Sequence, residues 1–231
     1  MILLLPGMDG TGELFRPLLK RMPEGRAVRT IRYPTSLPLT YPELERFVLS
    51  HLAASASERI VLVAESFSGP IALRLSTNSG LNLRAVVIVS SFASRPFGLW
   101  GHVLSWFSAP LLSRNRIHPR LLRTFLLGNK AADELVTATA QVISRVAPSV
   151  LAGRLRDALT SSYCSLPIAP TTRVIALFSK RDRLLGERGR KSILKVCPTI
   201  ETYMLDAPHF ALQVAPEQIV HKLDELGLLE E

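Results

Sequence analysis

The chain has 231 residues, 47% of them hydrophobic and 20% charged, with a net charge of +9 and a pI near 10.1. This length suits one α/β domain, or one domain carrying a sizeable insertion, and the apolar content excludes bulk disorder. The basic balance fits nucleic acid, an anionic membrane surface or an acidic protein, and charge alone does not choose among them.

In chain order, short apolar runs alternate with helix-period segments. The opening Met1–Gly7 has no basic n-region and too short an apolar run for a signal peptide, so it reads as a strand over Ile2–Leu5. Further strands are predicted at Val28–Tyr33, Ile60–Ala64, Ala85–Val89, Arg173–Phe178 and Glu201–Leu205. Most are nearly continuous in hydrophobicity, as parallel strands buried on both faces are. Helical patterns run over Gly12–Met22, Tyr41–Ala56, Gly69–Ser76, Glu187–Lys195 and Pro216–Leu226. A βαβα alternation of this kind predicts a doubly wound, mostly parallel sheet.

From Phe92 to Leu166 no run looks like a strand, and apolar pairs recur at helical spacing. Residues 92–166 are therefore read as an inserted helical cap, and 1–91 with 167–231 as the α/β core. The cap holds nine cations (Arg95, Arg114, Arg116, Arg120, Arg123, Lys130, Arg145, Arg154 and Arg156) against Asp133, Glu134 and Asp157. The uncharged stretch Pro96–Ser113 contains two prolines, two glycines, a histidine and three serines, which fits a partly buried surface segment rather than a membrane span. Cys164 and Cys197 lack partners at metal-ligand spacing and read as free structural thiols of a reducing, cytoplasmic compartment. No metal or cofactor is expected.

The segment Val63-Ala64-Glu65-Ser66-Phe67-Ser68-Gly69 runs a buried strand through a serine into a helix. A serine on so sharp a turn needs small neighbours two positions to either side, and Ala64 and Ser68 supply them in a relaxed form of G-x-S-x-G. The same segment also fits serines that merely cap a helix. Two later segments bear on the choice. The fifth strand ends in Ser179-Lys180-Arg181-Asp182 and the sixth in Asp206-Ala207-Pro208-His209. Ser66, Asp182 and His209 thus all follow the carboxyl ends of strands, the edge where ligands bind in open α/β sheets. A hydroxyl needs an adjacent imidazole to take its proton, and a carboxylate fixes that imidazole's tautomer. Asp206 is the competing acid, and His51, His102, His118 and His221 are the competing bases.

After the first strand, Pro6-Gly7-Met8-Asp9-Gly10-Thr11-Gly12 is a glycine-rich loop whose spacing matches neither dinucleotide nor P-loop fingerprints. Backbone N–H groups of Met8, in this loop, and of Phe67, after the serine, are the expected donors to an oxyanion.

Together these segments resemble the α/β-hydrolase superfamily over nearly the whole chain, and within it small bacterial carboxylesterases and the methyl ester esterases of pimeloyl carrier protein. The resemblance implies Ser66 as nucleophile, His209 as base, Asp182 as acid, and Met8 and Phe67 as oxyanion donors. Pro6-Gly7 stands where the family has His-Gly, and Ala64 and Ser68 replace the elbow glycines. A sheet of about six strands is expected, without the family's N-terminal antiparallel strands.

The expected function is hydrolysis of carboxylic esters of small to medium acyl chains, with Phe97, Trp100, Trp106 and Phe107 of the cap facing the acyl group. The cap cations offer a second reading, docking of an acidic acyl carrier protein, against a plain solvated basic face. A third is a ligand-binding protein on the same scaffold. No nucleic-acid motif accompanies the basic residues, so no nucleic-acid partner is expected.

Overall fold

A computed structural model of the chain describes residues 1–53, 58–98, 100–101, 117–164 and 170–230. Six strands, β1 (Ile2–Leu5), β2 (Val28–Thr30), β3 (Ile60–Glu65), β4 (Leu83–Val89), β5 (Arg173–Ser179) and β6 (Glu201–Leu205), form one sheet in the order β2-β1-β3-β4-β5-β6. Every pairing is parallel.

The four inner strands are apolar on both faces because both are covered. Alternate residues of β3 separate cleanly. Ile60, Leu62 and Ala64 join a cluster with Tyr41, Leu44 and Val48 of helix Tyr41–Ala53 and with Ile71 and Ile193. Val61 and Val63 join the opposite cluster with Phe15, Leu18, Ile219 and Leu223. Each such side chain, fully buried, contributes about 1.5–3 kcal/mol of transfer free energy. The edge strand β6 alternates half-buried and exposed residues, and Met204 faces solvent.

The predicted strand at Val28–Tyr33 ends at Thr30. Beyond it Ile31 still donates to Leu4, but Tyr33 donates to the carbonyl of Gly10, 2.8 Å away, so the chain leaves the ladder to brace the loop after β1. Between β4 and β5 the regular elements among the described residues are all helical. A turn at Pro119–Leu121 runs into a π-helical stretch Leu122–Leu127, followed by helices Asp133–Ser144 and Pro148–Thr160. They share their own cluster of Leu122, Leu127, Val136, Val142, Val146 and Val150, closed against Leu14 and Phe210. Among the described residues no single helix is long and apolar enough to cross a membrane. Cys164 and Cys197 are buried free thiols.

The register aligns the carboxyl ends of the strands. Leu5 pairs with Ala64, Ala64 with Ile88, Val89 with Leu177, and Ser179 with Leu205. The loop after β1, the turn after β3 and the loops after β5 and β6 therefore open on one edge. At that edge helix Gly69–Leu75 crosses the segment after β4 so closely that a Cβ on Gly69 would lie 1.8 Å from Ser91 Oγ. Gly69→Ala is expected to cost roughly 1–3 kcal/mol by overpacking. A lower urea midpoint at unchanged slope would register the loss, and a wild-type midpoint would show that the crossing has slack.

Candidate active site

β3 delivers Ser66 in a backbone conformation that side chains rarely adopt. Its φ is 46°, in the left-handed region, and the 3-10 turn Ser66–Ser68 leads straight into helix Gly69–Leu75. Such strain costs about 1–3 kcal/mol and persists only where surrounding contacts impose it. Here the Ser91 hydroxyl donates to the Ser66 carbonyl, and Tyr41 Oη donates to the Phe67 carbonyl at 3.1 Å with its ring stacked on Phe67.

The Ser66 hydroxyl lies 2.9 Å from Nε2 of His209, whose Nδ1 lies 2.8 Å from Oδ2 of Asp182. The other carboxylate oxygen accepts the backbone N–H groups of Leu184 and Leu185 at 2.8 and 2.9 Å. The loops bearing the acid and the histidine are tied to each other, since Lys180 donates to Leu205 and Arg181 to Ala207. Side-chain exposure is 1% for His209 and 4% for Asp182. Burial pushes the Asp182 carboxyl up, but His209 and the two backbone donors outweigh it and hold the carboxyl below its ordinary value. An ionised Asp182 accepts a hydrogen bond from Nδ1–H, which leaves Nε2 to accept from the serine hydroxyl.

The loop Pro6–Gly12 packs against this turn. Gly7 accepts from Gly10 at 3.1 Å, and Gly10 and Gly12 both have positive φ. Ser68, where the family pattern has glycine, donates to the Pro6 carbonyl at 2.5 Å and meets Tyr33 Oη at 2.7 Å. The side chain at this position thus ties the loop of Met8 to the turn of Phe67.

Several expectations are corrected. Arg154, counted among the cap's surface cations, is 1% exposed and bonded to main-chain carbonyls, because it lies on the same helical face as Val150, Leu151 and Ala158. Arg123 pairs with Asp133, and Arg145 pairs with Glu13 at 2.8 Å. Arg114 and Arg116 lie outside the described residues. Trp100 is 74% exposed rather than turned inward, and Phe97 packs on the main core with the Arg188 guanidinium over its ring. Trp106 and Phe107 lie outside the described residues.

The competitors sit elsewhere. Asp206 is an exposed partner of Arg181. His51 bonds Phe47, His118 accepts from Arg120 at a helix start, and His221 is exposed beside Glu225. His102 is outside the described residues. A cavity of about 560 Å³ is lined in part by Asp182 and Pro208, and by neither Ser66 nor His209. Among the described residues no cluster of His, Cys, Asp and Glu is arranged to hold a metal ion.

Sequence reasoning missed Glu65. It is 1% exposed, immediately before the serine, accepts one bond from Gln213 at 3.2 Å, and its Oε1 has no hydrogen-bond partner among the described residues. A carboxyl closing an otherwise apolar strand was the available signal. Burial, and after it the charge of Asp9, push this carboxyl from the ordinary 4.5 up to about 8. The folded protein thus keeps Glu65 neutral where the unfolded chain ionises it. Its contribution to stability is complete below pH 4.5 and is lost as pH rises to about 8. Glu65→Gln removes that titration. Calorimetry should show the Tm of E65Q gaining on wild type between pH 5 and 8, by roughly 2–4 °C per kcal/mol for a domain of this size. A difference independent of pH would contradict a neutral Glu65.

The fold has many relatives. A hydrolase from Oleispira antarctica superposes with a TM-score of 0.84 at 16% identity, covering 100% of this chain and 91% of the other. A thermophilic esterase from Thermogutta terrifontis gives 0.77 at 15% identity, covering 100% and 90%. A bromoperoxidase from Bacillus anthracis gives 0.77 at 11% identity, covering 100% and 91%. At these identities the likeness establishes the fold alone. No curated protein matches the chain. Residues 2–222, however, match the alpha/beta hydrolase family, and the chain belongs to that family, whose scaffold supports hydrolase chemistry.

Proposed function

We propose that this protein is a serine hydrolase that cleaves carboxylic esters of small to medium acyl chains through an acyl-enzyme intermediate. The observation that carries this reading is the unbroken hydrogen-bonded chain from Ser66 Oγ through the His209 ring to Asp182, at 2.9 and 2.8 Å. Each link has a chemical purpose. Ser66 Oγ attacks the ester carbonyl carbon while its proton passes to His209 Nε2. Asp182 stabilises the imidazolium that forms. The carbonyl oxygen takes up negative charge against the N–H groups of Met8 and Phe67. The leaving alkoxide departs with the proton from Nε2. Water then attacks the acyl carbon as His209 Nε2 takes its proton; the acyl–Oγ bond breaks, the carboxylic acid leaves, and Oγ takes the proton back from Nε2 to restore the Ser66 hydroxyl.

Burial of the imidazole and the carboxylate supports this reading, because charge interactions inside a water-excluded site are stronger than in solvent. The left-handed turn at Ser66 supports it too. Backbone strain clusters at sites of function, and a serine that only capped a helix would need none.

The test is hydrolysis of a chain-length series of p-nitrophenyl acyl esters by wild type, Ser66→Ala and Asp182→Asn. Turnover should fall on the order of 10⁴-fold or more in S66A, and by a comparable factor in D182N, where the imidazole takes the wrong tautomer. Both variants should keep the wild-type unfolding temperature to within a few degrees. Undiminished turnover in S66A, or none in folded wild type across the series, would overturn the proposal.

A further inference from the structure

Helix Pro148–Thr160 reaches beyond the cluster that its Val150 and Leu151 join. Its Arg154 guanidinium reaches into the loop after β1, where Nη1 donates to the carbonyls of Met8 and Asp9 at 2.8 and 2.9 Å. Nη2 donates to the carbonyl of Pro34 at 2.9 Å. The group lies over the Tyr33 ring and so close to Gly10 that a Cβ there would fall 2.3 Å from Nη1. One turn further along the same helix, Asp157 accepts the backbone N–H of Tyr41 at 3.0 Å. Tyr41 in turn holds the Phe67 carbonyl. A single helix from the segment between β4 and β5 therefore braces both the Met8 loop and the Phe67 turn.

Burying an arginine is costly, and Nε of Arg154 has no hydrogen-bond partner among the described residues. An apolar side chain would fill the space without that cost, so packing alone does not account for the residue. A guanidinium supplies what an apolar group cannot, a fork of donors that fixes several carbonyls at once. The Asp9 carbonyl shares its peptide plane with the Gly10 N–H, which donates to the Gly7 carbonyl at 3.1 Å, and the Gly7 carbonyl shares its own plane with the Met8 N–H. Pinning the Asp9 carbonyl therefore holds the direction of the Met8 N–H through the Gly10–Gly7 bond.

We infer that Arg154 is a positioning residue for the oxyanion hole, by which the helix at Pro148–Thr160 sets the aim of the Met8 N–H. The inference rests on the reading of Met8 and Phe67 as oxyanion donors in a serine hydrolase. Arg154 touches no reacting atom and acts only through the loop. A displaced helix would then leave the Ser66–His209 pair intact and still slow the chemical step, because oxyanion stabilisation depends on donors held in place before the reaction.

The experiment compares wild type with Arg154→Lys, which keeps the charge but gathers its donors on a single nitrogen, and Arg154→Met, which keeps most of the volume and no donor. Three quantities are read: kcat and KM on the best p-nitrophenyl ester, and inhibition by a trifluoromethyl ketone of matching length. Ser66 Oγ adds to the ketone carbon, its proton passes to His209, and the ketone oxygen becomes an oxyanion. In R154K, kcat should fall about tenfold and the ketone's Ki should rise by a like factor, with KM and the Ki of the matching secondary alcohol within about twofold. R154M should move the same two quantities further, and if it does not fold, R154K decides. In wild type, ketone binding should slow amide exchange in residues 7–11 and 150–160 together.

A folded R154K with wild-type kcat and ketone affinity, or protection confined to residues 7–11, would overturn the inference while leaving the serine hydrolase standing. Wild type that forms no ketone adduct at Ser66 would overturn both.

Discussion

The geometry of this protein depends on one sharp turn. β3 must stop at Glu65 and reverse into a helix within three residues, so that the hydroxyl at Ser66 stands clear of the sheet and meets the imidazole. That reversal holds Ser66 at a φ of 46° and brings Gly69 against Ser91 with no room for a side chain. The strain is balanced by the burial of β3, whose residues are covered on both faces, and by side-chain hydrogen bonds to the carbonyls of Ser66 and Phe67. The parallel register then brings Asp182 and His209 to the same edge without further distortion.

Beneath the turn lies a layer of buried polar groups that a simple apolar core would lack. Tyr33, Ser68 and Pro6 form one chain of hydrogen bonds, and Gln213 and Glu65 form another. Arg154 with the carbonyls of Met8, Asp9 and Pro34 forms a third. Each replaces interactions with water at little net gain, and a member left unpaired would cost about 1–3 kcal/mol. Their effect is to specify where the loop after β1 sits. A neutral Glu65 belongs to the same logic, since a charge beside Asp9 in this layer would be uncompensated.

Much of the fold was legible because parallel strands covered on both faces write themselves as uninterrupted apolar runs. β1, β3, β4 and β5 lie within two residues of the runs at Ile2–Leu5, Ile60–Ala64, Ala85–Val89 and Arg173–Phe178. The hydrogen-bonded trio was legible for a related reason. Each member follows the end of such a run, and a parallel register aligns those ends. The run Val28–Tyr33 outlasts β2 because Tyr33, at its end, bonds to Gly10 rather than to a strand, a contact that no periodicity encodes. Arg154 was misassigned because counting charges along a segment ignores which face they occupy. Its spacing from Val150 and Ala158 placed it on the buried side of its helix. The direction of Trp100 had no signal at all, since an aromatic residue fits a lining and an exposed turn equally well.

In the proposed mechanism Ser66 takes the acyl group from the ester and then yields it to water. The most direct measurement mixes the protein with a p-nitrophenyl ester, quenches it with acid within the first turnovers, and determines the intact mass and the modified peptide. The expected result is a stoichiometric mass increase equal to the acyl group less one hydrogen, confined to Ser66 and disappearing as substrate is exhausted. Hydrolysis with no acylated species, or an acyl group on Ser68, Ser90 or Ser91 in place of Ser66, would contradict it.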